Sequence, residues 1–189
     1  MRHSPTVPVW DPLVRIFHWL LVAGFFTAYL TEDDFMTLHA WAGYLVLSLL
    51  AFRLAWGFVG PRHARFSDFV APPGEALRYL GRVVTGRAPR HLGHNPAGGL
   101  MIVALLVGLV LTGASGLVVY GVEEQAGPLA AYVAHWPRAI GKAFEEVHEF
   151  LANGVLLLVF VHVAGVIVES LLHRENLVKA MWTGEKRLN

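Results

Sequence analysis

The fold is decided by residues 145–169, EEVHEFLANGVLLLVFVHVAGVIVE, in which two histidines interrupt a long apolar run. His148 and His162 are fourteen positions apart. At 3.6 residues per turn this interval is close to four turns, so both imidazoles leave the same helix face. They are separated by roughly 21 Å along the axis, within a hydrocarbon core about 30 Å thick. A membrane helix that presents one ligand toward each side predicts two stacked redox centres.

The composition of the chain indicates a membrane protein. Its 189 residues are 55% hydrophobic and only 15% charged, with a mean hydropathy of +0.50, so a soluble domain of this size would expose too much apolar surface. A net charge of +1 without a basic recognition motif argues against nucleic acid. The absence of cysteine excludes c-type haem attachment, cysteine-ligated clusters and disulfides. The ten histidines are the remaining soft-metal ligands, which favours a non-covalent haem held by imidazole.

Four apolar runs have the length of a membrane span, and they cover residues 12–30, 38–58, 100–120 and 146–170. No A-x-A-like cleavage site follows the first run, so we interpret it as a retained span rather than a signal peptide. The predicted fold is therefore all-α: a single domain, 1–189, forming an up-and-down four-helix membrane bundle. An amphipathic segment near 75–84 is expected at the membrane surface, and the external loop 121–142 has room for short interfacial helices.

The distribution of Lys and Arg predicts the orientation of the bundle. The loop 60–96 carries Arg62, Arg65, Arg78, Arg82, Arg87 and Arg90, and the terminal segments carry Arg2, Arg15, Arg174, Lys179, Lys186 and Arg187. The other two loops hold Glu32, Asp33, Asp34, Glu123 and Glu124, with Arg138 and Lys142 as their only cations. Cytoplasmic loops of membrane proteins carry an excess of positive residues. Both termini and the long middle loop are therefore predicted to be cytoplasmic.

Four histidines lie within the predicted spans, where an ionisable side chain is costly and is a functional candidate by default. They are His18, His39, His148 and His162. Helix one runs outward, with His18 in its cytoplasmic half, and helix two returns with His39 at its outer start. Helix four also runs inward, so His148 is outer and His162 is inner. Matching by depth pairs His18 with His162 and His39 with His148, which is what two bis-histidine haems require.

Small residues near three of these histidines leave room for a porphyrin face: Gly43, Ala152 and Gly165. The competing interpretation is a polar histidine bonded to a neighbouring helix or wetted at the interface, and it is strongest for His39 and His148. The remaining histidines are interpreted as solvated: His3, His63, His91, His94, His135 and His173. For Arg15 and Arg53 we favour snorkelling to the cytoplasmic interface, with a haem propionate as the alternative partner.

Five segments carry a family resemblance across the chain: VWDPLVRIFHW (9–19), LHAWAGY (38–44), GHNPAGGLM (93–101), EEVHEFLANG (145–154) and HRENLVKAMWTGEK (173–186). In order and spacing they resemble the bacterial cytochrome b561 family, in the branch that contains the cytochrome b subunits of nickel–iron hydrogenases. The resemblance implies a four-helix bundle of the bacterial inner membrane that binds two haems b. Family ligands come from helices one, two and four, and they fall on the same four histidines.

The resemblance also implies electron transfer between the quinone pool and a redox partner, either a periplasmic c-type cytochrome or a hydrogenase-like subunit. Imidazole on both axial positions leaves the iron no open site, which suits outer-sphere transfer. Hydrogenase subunits often carry extra helices or longer ends, so this compact chain favours a stand-alone cytochrome or one served by a cytochrome c. The expected partners of the protein therefore include membrane lipid and quinone. Whether the chain forms a homodimer is left open.

Two other functions remain as alternatives. The first is an oxidoreductase in its own right that oxidises quinol or superoxide. Arg138 and Lys142 are the candidate external cations for attracting an anionic substrate. Unchanged superoxide reactivity after replacement of both would exclude this role for them. The second is a haem-free transporter or sensor that uses the histidines as a relay, which the lack of mid-span acidic residues disfavours. The quinone site and the direction of electron flow are left open.

Overall fold

The computed structural model describes residues 5–32 and 35–188, which are mostly helical. In chain order the helices are α1 (Pro12–Leu30), α2 (Met36–Val59), α3 (Phe66–Phe69), α4 (Pro73–Val84), α5 (Pro96–Glu123), α6 (Ala130–Val133), α7 (Arg138–Leu172) and α8 (Leu177–Thr183), with a 3₁₀ turn at Arg62–Ala64. Helices α1, α2, α5 and α7 are long and apolar enough to cross a membrane. The predicted all-α class with four spans is confirmed. The orientation stays a prediction, and four residues invoked above lie outside the described ranges: Arg2, His3, Asp33 and Asp34.

Two of the long helices begin at a side-chain cap followed by proline. The Asp11 carboxylate accepts hydrogen bonds from the backbone N–H groups of Leu13 and Val14, at 3.0 and 3.2 Å. The Asn95 side chain accepts from Gly98 N–H at 2.7 Å. Such caps satisfy donors that have no partner within the first turn, and the proline that follows has no N–H to satisfy. These caps fix where α1 and α5 start.

Helix α7 is longer than the apolar run that predicted it. It begins at Arg138 rather than near residue 146, and its 35 residues extend about 52 Å, well beyond a hydrocarbon core of about 30 Å. Pro137 precedes the helix, where a residue without an N–H is tolerated. Arg138 and Lys142 therefore lie on the first turns of a helix and not in an irregular loop.

The segment expected at the membrane surface is α4, and it has two apolar faces. Ala76 and Tyr79 are buried against the protein, whereas Leu77, Leu80 and Val84 are exposed, Val84 by 87%. An exposed apolar stripe beside charged residues is typical of a helix that lies in the membrane interface.

A small antiparallel sheet that the sequence did not predict joins the two ends of the chain. Strand β1 (Thr6–Pro8) pairs with β2 (Glu185–Arg187), with Val7 opposite Lys186. Strands of three residues carry almost no periodic signal, so this pairing depends on contacts between distant segments.

The chain divides into two compact units. The terminal unit comprises Met1–Trp19, Phe52–Ala104 and Leu158–Asn189, and the central unit comprises Leu20–Ala51 and Leu105–Leu157. Each unit contains a segment of all four long helices. In both units large apolar side chains face outward; Phe58, Phe150 and Leu171 are at least 74% exposed. Exposed apolar surface on this scale requires lipid around the spans.

Candidate functional site

The central unit brings His39 and His148 together. The centroids of their imidazole rings are 6.0 Å apart, with an angle of 75° between the planes. The Nδ1 of His39 lies 2.9 Å from the carbonyl oxygen of Ala28, and the Nδ1 of His148 lies 2.9 Å from that of Thr112. Because a carbonyl only accepts, both Nδ1 atoms carry the proton and donate it. With Nδ1 occupied by a carbonyl, Nε2 is the nitrogen of each ring that is available to bind a metal.

The spacing of these rings fits a metal ion between them. Two imidazoles that bind one metal at about 2.0–2.1 Å have ring centres about 6 Å apart, since each centre lies about 1 Å behind its nitrogen. The observed 6.0 Å agrees with this value. No group of three or more His, Asp or Glu side chains suited to a metal ion occurs in ranges 5–32 and 35–188. Two protein ligands suit a porphyrin, which supplies the remaining donors.

An apolar cavity lies beside the two rings. Its lining includes both histidines together with Phe25, Gly43, Val46, Leu109, Gly113 and Ala152. A Cβ added at Gly43 would meet nothing within 4 Å, so this glycine leaves open space next to His39. Ala152 is the residue one turn after His148. The small residues expected to admit a porphyrin face thus border the cavity at this pair.

Helix α5 holds the His148 ring in position. A Cβ at Gly116 would lie 2.8 Å from Cε1 of His148, so only glycine allows the ring to approach this closely. Ser115 is buried, and its Oγ lies 3.2 Å from the same Nδ1 that donates to Thr112. Sequence reasoning missed these residues. Gly116 and Ser115 lie in the uncharged run 100–120, but the sequence alone does not show which histidine they contact.

The terminal unit contains His18 and His162, both partly buried. The Nδ1 of His18 is buried and has no hydrogen-bond partner among the described residues. A Cβ at Gly165, one turn after His162, would meet nothing within 4 Å. The two depth-matched pairs predicted from the sequence therefore fall into separate units, one pair in each.

Several histidines interpreted as solvated are instead engaged with the protein. His63 Nδ1 lies 2.9 Å from the Asp68 carboxylate, and His173 Nε2 lies 3.3 Å from that of Glu169. Burial raises the pKa of Asp68, but hydrogen bonds from His63 and Arg62 outweigh it and lower the pKa. His135 is exposed, as expected.

His94 departs furthest from the solvated interpretation. Its ring packs between Trp10 and Phe69, at centroid distances of 4.4 and 4.8 Å, and its Nδ1 is enclosed without a partner among the described residues. Burial, together with the charges of Arg53 and Lys186, lowers the pKa of His94 to about 3, so the ring is neutral at pH 7. The snorkelling interpretation is wrong for Arg53, which is only 3% exposed.

Comparison with known proteins agrees with this architecture. The family model of the prokaryotic cytochrome b561 matches residues 9–184. The probable Ni/Fe-hydrogenase B-type cytochrome subunit of Bradyrhizobium diazoefficiens is 25% identical, over 97% of this chain and 87% of the relative. The protein of the same description from Rhizobium leguminosarum bv. viciae is 24% identical, over 96% and 89%. No solved structure matches the chain.

The family match extends over nearly all of the chain and includes all four spans and all four candidate histidines. Membership implies haem b as the prosthetic group. The chain therefore belongs to the prokaryotic cytochrome b561 family, and it is a multi-pass membrane b-type cytochrome of electron transfer.

Proposed function

We propose that the protein binds two haems b, one between His39 and His148 and one between His18 and His162, and passes electrons between the quinone pool and a redox partner. Haem supplies one-electron chemistry at its iron, and two imidazole ligands leave no site for oxygen or substrate. The observation that carries the proposal is the 6.0 Å separation of the His39 and His148 rings beside an apolar cavity.

The histidine side chains are prepared for ligation by their neighbours. The carbonyl oxygens of Ala28 and Thr112 hold the Nδ1 protons of His39 and His148, which fixes the tautomer and the ring orientation and raises the basicity of Nε2. The mostly apolar lining would surround a bound redox group with a low-polarity environment, which tunes its potential. These features support an electron carrier more than a proton relay, whose groups would need exchangeable partners on both nitrogens.

The partner that we propose is a hydrogenase-type subunit, with a periplasmic c-type cytochrome as the alternative. The curated relatives are described as probable subunits of Ni/Fe-hydrogenases, and the alignments cover 87% and 89% of two of them. The small difference in length gives little reason to favour a stand-alone cytochrome over a hydrogenase subunit.

The pairing is tested by counting haems in single histidine variants. Reduced-minus-oxidised spectra and pyridine haemochrome assays should give two low-spin b haems per wild-type chain. His18→Ala and His162→Ala should each remove one and the same haem, identified by its midpoint potential. His39→Ala and His148→Ala should remove the other, and His135→Ala, at an exposed position, should remove neither.

Two outcomes would contradict the proposal. If His18→Ala and His148→Ala removed the same haem, the depth-matched pairing would be wrong. If the folded wild-type protein contained no haem, the electron-transfer function would fail and the relay would replace it. The quinone link is tested separately by anaerobic mixing with quinol, which should reduce both haems; reduction by dithionite alone would remove quinone from the proposal.

A further inference from the structure

Arg53 is a buried cation without a paired anion. It lies on the membrane-spanning helix α2, is 3% exposed, and forms no ion pair within 4.0 Å across the described parts of the chain. Burying an unpaired charge costs several kcal/mol, so buried arginines are normally matched by an acid. Lys186, which is 5% exposed, follows this rule with Glu175 at 3.8 Å. Arg53 therefore lacks a group that its environment requires.

The surroundings of Arg53 do not supply that group. Its guanidinium carbon lies 5.0 and 5.8 Å from the ring centroids of Phe66 and Phe69, which stabilise a cation but accept no strong hydrogen bond. Asp11 is the nearby acid, but its carboxylate caps α1 and also lies 3.5 Å from the indole nitrogen of Trp56. The Nη1 of Arg53 is left buried without a hydrogen-bond partner among the described residues.

Helices α1 and α2 approach each other close to the positions of His18 and Arg53. The rings of Phe17 and Phe52, the residues immediately before His18 and Arg53, have centroids 6.4 Å apart. On α2, Arg53 follows His39 by fourteen residues, the interval that also separates His148 and His162. Near four helical turns, this interval puts Arg53 on the helix face that carries a candidate ligand.

Other buried side-chain nitrogens of the terminal unit are unpartnered too. Within residues 5–32 and 35–188, buried side-chain nitrogens without a hydrogen-bond partner belong to Arg15, His18, Trp19, Arg53 and His94. The Nε2 of His173 makes no hydrogen bond either, but it lies 3.3 Å from the Glu169 carboxylate. All of these residues are in the terminal unit, and none is in the central unit. Arg53 and His94 share a contact with Phe69, so their unpartnered atoms lie in one region. A carboxylate would supply acceptor oxygens to buried nitrogens of this kind, which are otherwise unsatisfied.

We propose that Arg53 binds a propionate carboxylate of the haem held by His18 and His162, with His94 as a second donor. The inference rests on the proposed di-haem function. A carboxylate accepts a charge-assisted hydrogen bond from Nη1 and neutralises the buried guanidinium, while a neutral His94 donates from Nδ1. Arg53 is thus a positioning residue for this haem and a determinant of its potential.

The test compares Arg53→Gln and Arg53→Lys with the wild-type cytochrome and with Arg82→Gln, a matched change at an exposed position. A nearby positive charge favours the reduced haem, so Arg53→Gln should lower the midpoint potential of the haem that is lost in His162→Ala. The affinity of the Arg53→Gln variant for this haem should fall by about tenfold to a hundredfold, the range for a hydrogen bond to a charged group. The propionate-bending bands of the resonance Raman spectrum should shift.

The lysine variant separates charge from geometry. Arg53→Lys keeps the charge but not the planar donor fork, so its potential should lie between those of Arg53→Gln and wild type. The haem lost in His148→Ala should be unchanged in both variants. Lower thermal stability with an unchanged potential and unchanged propionate bands would overturn the inference. If His162→Ala removed no haem, the proposed di-haem function itself would fail, which distinguishes the two failures.

Discussion

At the scale of single residues, Gly43 lines the apolar cavity next to His39, and its replacement tests cofactor binding directly. A Cβ added here meets no protein atom within 4 Å, so the position has room for the start of a side chain. Leucine is also the better helix former by almost 1 kcal/mol. Gly43→Leu should therefore leave the fold intact, fill the cavity beside His39, and reduce the haem count from two to one in a pyridine haemochrome assay.

The matched control for this change is Gly154→Leu. Gly154 is also a helical glycine of the central unit whose added Cβ meets nothing within 4 Å, but it is exposed and does not line the cavity. It should keep both haems. Two haems in Gly43→Leu would mean that the cavity does not hold a porphyrin.

A second prediction at this scale concerns Tyr79, whose buried hydroxyl donates to the Glu169 carboxylate at 3.1 Å. Burial and the Glu169 charge raise the pKa of Tyr79, so the hydroxyl stays protonated. Tyr79→Phe removes a hydrogen bond to a charged group and should destabilise the protein by about 1.5–3 kcal/mol. Thermal unfolding in detergent measures this. Tyr132→Phe, at a side chain 71% exposed, should change little, and equal effects would contradict the prediction.

The proximity of His39 and His148 could be predicted because helix period and depth are simple functions of residue number. His148 and His162 share a face at any helix orientation, and alternating span direction then pairs them with His39 and His18. What holds each ring could not be predicted. The carbonyl oxygens of Ala28 and Thr112 are backbone atoms, common to every residue, and only the packing of one helix on another selects them.

At the scale of elements, the long helices were predictable and the short ones were not. Apolar runs of span length indicated α1, α2, α5 and α7, but the polar first turns of α7 gave no hydropathy signal. The pairing of β1 with β2 involves segments 179 residues apart, between Thr6 and Glu185, and local pattern carries no such information. The burial of Arg53 could not be predicted either, because it depends on contacts with Phe66 and Phe69 of the short helix α3, which gave no signal in the sequence.

The segment that follows α7 leads to a prediction on pH. Glu175 is 7% exposed and pairs with Arg90 at 2.8 Å and with Lys186 at 3.8 Å, which ties β2 to the middle loop. Burial raises the pKa of Glu175, but Arg90 and Lys186 outweigh it and hold the pKa below its ordinary 4.5. The carboxylate therefore stabilises the fold above pH 4.5 and loses this contribution as the pH falls through the lowered value.

Glu175→Gln tests this contribution. At neutral pH it leaves Lys186 buried without its carboxylate, a loss of about 3–5 kcal/mol in buried pairs. Because the variant lacks the titrating group, its melting temperature, measured in detergent, should fall less than that of wild type as the pH is lowered from 6 to about 3. Glu124→Gln, at an exposed position, should follow wild type. A variant with the full acid sensitivity of wild type would contradict the role of Glu175.

At the scale of the whole molecule, the distribution of charge predicts how the protein lies in the membrane. Arginines cluster between α2 and α5, including the exposed Arg78 and Arg82, whereas the segment between α5 and α7 is poor in cations. Positively charged segments stay in the cytoplasm, so both termini should be cytoplasmic and the α5–α7 segment external.

A fluorescent protein fused after residue 189 should fluoresce, and alkaline phosphatase fused near residue 125 should be active. Exchanging the two reporters is the control, and it should abolish both signals. Active phosphatase at the C-terminus would mean that the orientation is the reverse of the predicted one, and each haem would then exchange electrons on the opposite side of the membrane.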